Sequence, residues 1–283
     1  MGVRISSPIA AAMTLTLAVI AVAQPPRDGP RPEDTEIWEP EPPIVRPAAA
    51  GDMGAVAAVA GAGTGPARAA GTATAPGDAI VLFDGSSLDE WVSTRDGGPA
   101  GWQLADGLMT VDKVAGNIET RRRFGSYQLH LQWRVPREVT GSGQARGNSG
   151  LFLASTGAGD AGYELQILDA FANPTYVNGM AGSVYKQSIP LANPARPPGE
   201  WQSYDVIWTA PRFADDGTLL EPARVTAFFN GILIQNDFAL AGETVYIGTP
   251  RYRAHGEAPI KLQAHDDPSP PISFRNIWVR PLP

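Results

Sequence analysis

From Ile80 onward the chain is written in short runs of alternating apolar and polar residues, cut every few positions by Gly, Pro, Asn or Asp. Successive side chains of an extended strand point to opposite faces, so Tyr127, Leu129, Leu131, Trp133 and Val135 share one face and Gln128, His130, Gln132 and Arg134 the other. One face of such a sheet must be core. Further strands are expected at 80–83, 102–104, 108–111, 150–153, 163–168, 203–209, 225–229, 231–235, 260–264 and 272–280. Asp106-Gly107 and Asn230-Gly231 mark tight hairpins, because a two-residue type I′ turn needs positive φ at both positions and Asn, Asp and Gly tolerate it best. No stretch after Ile80 sustains a helical period over a normal helix length, so the pattern is that of an all-β sandwich or barrel.

The start of the chain reads differently. Arg4 supplies a positive charge, residues 9–23 form a short apolar run, and Ala21-Val22-Ala23 is a small-x-small cleavage site before Gln24, which together read as a signal peptide over 1–23. The apolar run is shorter than the roughly 20 residues that cross a bilayer, so no membrane span is expected after cleavage, and the expected location is periplasmic or extracellular. Residues 24–77 are rich in Pro, Ala and Gly and carry too little apolar surface to offset the entropy of ordering, which predicts a flexible linker before a folded domain over 78–283.

The chain has no cysteine, so that domain must be held by its core; at roughly 200 residues it can bury about 70% of its unfolded surface. A net charge of -7, with Arg121-Arg122-Arg123 as the one dense basic run, argues against a nucleic-acid partner.

Several short motifs follow one another in a fixed order: Leu82-Phe83-Asp84-Gly85 with Leu88 and Trp91, Gly147-Asn148-Ser149-Gly150, Tyr163-Glu164-Leu165-Gln166-Ile167-Leu168-Asp169, Gly182-Ser183-Val184-Tyr185, Gly199-Glu200-Trp201, Phe229-Asn230-Gly231, Leu262-Gln263-Ala264-His265 and Phe274-Arg275-Asn276-Ile277. In order and spacing they resemble the 3-keto-disaccharide hydrolase family, over essentially everything from Ile80 to Leu282. The resemblance implies a concanavalin A-like jelly-roll β-sandwich of two antiparallel sheets, with the site on a concave sheet, and an activity on glycosides oxidised to a ketone at C3. It implies elimination followed by hydration for some relatives, and a divalent metal cation for some. The family pattern has an acidic residue before the histidine and a glycine after it, where this chain carries Ala264 and Asp266.

Strand parity puts Tyr163, Leu165 and Ile167 on one face and Glu164 and Gln166 on the other, so a carboxylate and an amide project side by side. Lys261, Gln263 and His265 share a face in the same way. Of the three histidines, His255 sits in a Gly-rich loop and His130 on a polar strand face, both expected at the surface, which leaves His265 as the candidate for a residue that titrates near neutral pH.

Glycosidases ordinarily use two carboxylates about 5–10 Å apart. Gln166 cannot ionise and Asp169 falls on the opposite parity, which argues against ordinary glycoside hydrolysis. A 3-keto sugar asks for less. The ketone acidifies the C2 proton, so one base, Glu164 or His265, and a cation or donors at the ketone oxygen suffice, with Lys186, Arg275 or a metal as candidates. Asn148, Gln166, Lys186, Gln263 and Arg275 are candidate substrate-binding residues, and Glu164 and His265 are compatible with a divalent cation, whose presence the sequence leaves open.

The reading is therefore an exported enzyme that cleaves 3-keto-glycosides, with a small carbohydrate as its partner. The main rival is a non-catalytic carbohydrate-binding module on the same kind of fold. The two differ in whether a 3-keto-disaccharide is converted to product.

Overall fold

Every expected run becomes a strand, and four shorter ones join them. In chain order they are β1 (Ile80–Phe83), β2 (Trp91–Ser93), β3 (Gln103–Ala105), β4 (Leu108–Thr110), β5 (Ile118–Thr120), β6 (Tyr127–Arg134), β7 (Ser149–Ser155), β8 (Gly162–Ile167), β9 (Gln202–Thr209), β10 (Arg212–Phe213), β11 (Leu219–Glu221), β12 (Arg224–Phe229), β13 (Ile232–Ala239), β14 (Lys261–Leu262) and β15 (Ser273–Pro281). The structure, a computed structural model, describes residues 1–2, 29–47 and 75–283. Two compact units are present, Met1–Pro30 and Arg31–Pro283, and all the architecture below belongs to the second. The expected signal peptide lies almost wholly outside the described residues, as do residues 48–74 of the expected linker.

The strands form an all-β jelly-roll sandwich. An eight-stranded antiparallel sheet runs β13-β12-β9-β6-β15-β4-β3, with β1 also paired to β15, and a five-stranded antiparallel sheet runs β2-β5-β14-β7-β8. The long β15 pairs with β6 along one edge, while its other edge is shared by β4 near Ser273 and β1 near Trp278. Both expected hairpins form, with positive φ at Asp106 and Gly107 (53° and 73°) and at Asn230 and Gly231 (51° and 80°).

The core lies between the sheets. Tyr127, Leu129, Leu131 and Trp133 of β6, and Tyr163, Leu165 and Ile167 of β8, are all buried. Tyr163 packs against Trp208 of β9 across the interface at 5.4 Å between ring centroids. Truncating such a buried aromatic to Ala costs about 3–5 kcal/mol. Two hydroxyls also cross the core: Tyr127 Oη donates to the Leu153 carbonyl at 2.6 Å, and Tyr204 Oη donates to the Gln166 carbonyl at 2.7 Å. The second bond pins the middle of β8 to the opposite sheet.

Two expectations are corrected. Residues 31–47, read as linker, lie along the sandwich, because their backbone groups find partners there: Val45 N–H donates to Asn193 O and Val177 N–H to Ile37 O. His130, expected at the surface, is buried; its ring stacks on Trp278 and its Nδ1 lies 2.7 Å from Asp205 Oδ1. The bulge in the β15–β6 pairing between Arg275 and Trp278 lets that indole cover the outer face of β6.

Candidate functional site

The odd-numbered residues of β8 enter the core, so Glu164 and Gln166 project from the outer face of the five-stranded sheet. There they floor a cleft of about 660 Å³, which Asn148, Gln263 and His265 also line. Two adjacent pairings bring these residues together. β7 places Gly150 opposite Gln166 and Phe152 opposite Glu164. β14 runs on the other side of β7, and beyond its end Gln263 N–H still donates to the Gly150 carbonyl at 3.0 Å, which brings His265 to the rim.

The floor is rich in acceptors. Gln166 Nε2 is turned away into bonds with Gln144 Oε1 (3.1 Å) and Gly179 O (3.3 Å), and Asn148 Nδ2 donates to Gln144 O (2.8 Å). Gln166 Oε1 and Gln263 Oε1 are consequently buried without a partner. A buried acceptor left unmade costs about 1–3 kcal/mol, and both of these belong to residues that line the cleft.

The Glu164 carboxyl is buried, and loss of solvation, reinforced by the nearby Asp160 and opposed by Lys261, pushes its pKa up to about 8. Lys261 is itself buried; its Nζ donates to the carbonyls of Gly157, Gly159 and Ala161 and so fixes the loop that carries Asp160 into the cleft. Burial lowers Lys261 to about 8, against the pull of Glu119, Asp160 and Glu164.

At the rim, the buried Nδ1 of His265 lies 3.4 Å from Asp267 Oδ2, a long contact of ion-pair type. Burial would raise Asp267, but His265, both Ser269 donors and Lys113 outweigh it and hold the carboxyl down to about 2. This carboxylate therefore stays charged and orients the imidazole.

Two residues expected to bind substrate stand elsewhere. Arg275 projects from the eight-stranded sheet, where its Nε donates to Gln132 Oε1 at 2.6 Å and its guanidinium lies 4.0 Å from the Trp201 ring centroid. Lys186 stands behind the cleft wall, its Nζ bonded to the carbonyls of Pro32 and Tyr246. Its backbone is left-handed (φ 57°), and its ammonium lies behind the rings of the cleft residues Tyr176, Tyr185 and Tyr246, 5.6, 6.0 and 4.8 Å from their centroids.

Sequence parity also missed several lining residues, among them Glu36, Asp160, Tyr176 and Tyr246. All lie outside the strands, where no period announces a side chain's direction. Tyr185 lines the cleft because residues 182–185 pair along the free edge of β8; Tyr185 N–H donates to Glu164 O. Its hydroxyl lies 2.6 Å from that of Tyr176. Burial pushes Tyr176 up to about 12 and Tyr185 higher still, so both stay protonated; one donates to the other, which leaves one hydroxyl proton for a ligand.

No cluster of three His, Cys, Asp or Glu side chains able to hold a metal occurs among the described residues. A divalent cation would instead draw on the mixed set of Glu164, His265 and the two unpartnered amide oxygens, Gln166 Oε1 and Gln263 Oε1, a hard oxygen-and-nitrogen environment that fits such an ion.

A buried carboxyl, an oriented imidazole and a floor of free acceptors on the outer face of a jelly-roll sheet define a carbohydrate-active protein of the glycosyl hydrolase type. The chain belongs to the family of the 3-keto-alpha-glucoside-1,2-lyase-like domain, whose model matches residues 78–280. A solved structure of a candidate glycosyl hydrolase from Parabacteroides distasonis ATCC 8503 is 47% identical, covers 88% of this chain and 96% of its own, and superposes with a TM-score of 0.70. A second candidate glycosyl hydrolase from the same organism shares the fold at 19% identity, covering 72% of this chain and 94% of its own with a TM-score of 0.53. No curated protein matches the chain. Among the described residues no helix is long and apolar enough to cross a membrane.

Proposed function

We propose that this protein is an exported enzyme that cleaves the glycosidic bond of 3-keto-glycosides by β-elimination followed by hydration. The observation that carries the reading is the convergence of Glu164, Gln166, Asn148, Gln263 and His265 on one cleft, with the Glu164 carboxyl buried and its proton affinity raised to near neutrality.

Glu164 is the base. It removes the C2 proton, and the electron pair of that bond passes to the C3 ketone as an enolate. The enolate then expels the C1 substituent: the C1–O bond breaks, a C1=C2 double bond forms, and His265 Nε2 gives the departing oxygen its proton. Water next adds across C1=C2: its hydroxyl bonds to C1 as His265 takes the released proton, and the protonated Glu164 gives a proton to C2, which restores both groups and makes the overall change hydrolysis. With Lys186 and Arg275 outside the cleft, the enolate oxygen is steadied by the Tyr176–Tyr185 hydroxyl pair. A divalent cation held by the cleft's oxygen and nitrogen donors would supply further positive charge at that oxygen. Gln166 Oε1 and Gln263 Oε1 accept from sugar hydroxyls and fix the ring.

Asp160 beside Glu164 supports a second reading, since it supplies the second carboxylate that ordinary glycoside hydrolysis requires. Turnover of a 3-keto-α-glucoside disaccharide and of its unoxidised parent separates the two. Conversion of the keto sugar alone, lost in Glu164→Gln and reduced in His265→Ala, supports elimination. Equal conversion of both sugars supports hydrolysis, and conversion of neither leaves a binding module.

A further inference from the structure

Residues 31–47 precede the family match, yet one of them, Glu36, lines the cleft. The amide of Asn178, fully buried, is spent on this segment: its Oδ1 accepts from Ile37 N–H and its Nδ2 donates to Thr35 O, both at 2.9 Å. Farther along, Asn193 N–H donates to Pro43 O at 2.9 Å. Lys186 Nζ completes the attachment, donating to Pro32 O (2.7 Å) and Tyr246 O (3.0 Å) and so tying this strap to the loop on which Tyr246 sits.

What the strap presents is specific. Glu36 lines the cleft, half-buried. Trp38 stands edge-on to the cleft residue Tyr176 at 6.2 Å and remains 56% exposed, while Tyr246 in the cleft wall is 59% exposed. Two large rings open to water near a carboxylate offer a surface on which the apolar face of a ligand can pack, with the Lys186 ammonium already set 4.8 Å from the Tyr246 ring centroid. The C–H face of a pyranose, ringed by hydroxyl donors, matches both surfaces.

We propose that the strap forms an outer subsite for the second ring of a disaccharide, with Trp38 and Tyr246 against the ring face and Glu36 accepting its hydroxyls. This inference rests on the reading of the cleft as a sugar site and extends it to the part of the substrate away from the reacting bond. The strap residues contact substrate and take no part in proton transfer.

The test compares full-length Trp38→Ala and Glu36→Gln with the unaltered protein on a 3-keto-disaccharide and on the methyl 3-keto-glucoside. KM for the disaccharide should rise roughly 5- to 20-fold, in keeping with the loss of one ring-stacking contact, with kcat within about twofold and the methyl glycoside unaffected. Equal changes for both substrates, or none for either, would overturn the subsite. Should the unaltered protein convert neither substrate, the reaction proposed above fails. Calorimetric binding of the unoxidised disaccharide and its monosaccharide then decides the subsite: a preference for the disaccharide that Trp38→Ala removes supports it, and no preference overturns it.

Discussion

Gly150 and Glu164 sit on neighbouring strands so closely that a Cβ on Gly150 would lie 2.5 Å from Glu164 Oε1. The missing side chain is the space into which the carboxyl folds. The nearest atom is the end of a side chain and the next, Phe152 Cε2 at 3.0 Å, belongs to a buried ring, so Gly150→Ala should displace the carboxyl at a modest cost in stability. A misplacement of about 1 Å costs up to 100-fold in rate. We expect kcat/KM to fall about 10- to 100-fold with a melting temperature only modestly below the original; unchanged turnover would show that the position of Glu164 does not matter.

Glu164 also links activity to stability. Its folded pKa of about 8 lies above the ordinary 4.5, so the unfolded chain releases this proton first as pH rises. The destabilisation therefore grows between pH 4.5 and 8 and is constant above. Glu164→Gln removes it, and should stabilise the protein by on the order of 1–3 kcal/mol at pH 8 with little effect at pH 4, while abolishing turnover. In the unaltered protein kcat/KM should climb toward pH 8 as the base ionises. Chemical denaturation at the two pH values, with a pH–rate profile, checks both.

Asp267 has the opposite sign. Held at about 2, below its ordinary 3.8, it stabilises the fold above pH 3.8 and loses that contribution as pH falls through 2. Asp267→Asn should cost about 1–3 kcal/mol at pH 7, through weakened bonds to Ser269 and Lys113, and lower kcat about tenfold by freeing the imidazole of His265. A loss of stability with no change in kcat would show that Asp267 does not position His265.

What the sequence disclosed follows from period. β8 alternates over six residues, so the outward placement of Glu164 and Gln166 can be read before any coordinate, as can the two hairpins. Loops have no period. Asp160 reaches the cleft only because Lys261, two strands away, gathers three carbonyls of its loop, and Glu36 only because a buried Asn178 captures a segment whose composition resembles a linker. Arg275 was misplaced for a different reason: parity gives a residue's face but not its sheet, and β15 belongs to the sheet opposite the cleft.

Five carboxyl groups line the cleft, those of Glu36, Asp160, Glu164, Asp266 and Asp267. A substrate carrying a carboxylate in place of a sugar hydroxymethyl group would meet like charge, so uronate analogues should show kcat/KM at least about tenfold lower than neutral sugars. The penalty should shrink with added salt. Equal turnover of both classes, measured side by side at two ionic strengths, would contradict it.

The most direct measurement follows hydrogen at C2. A 3-keto-disaccharide cleaved in D₂O should release a 3-keto sugar carrying deuterium at C2 after a single turnover, beyond any exchange of the free product incubated without protein, because the departing proton is replaced from solvent during hydration. Release of a sugar that keeps its original C2 hydrogen, together with the absence of a primary isotope effect on cleavage of the C2-deuterated disaccharide, would mean that no base in this cleft removes it.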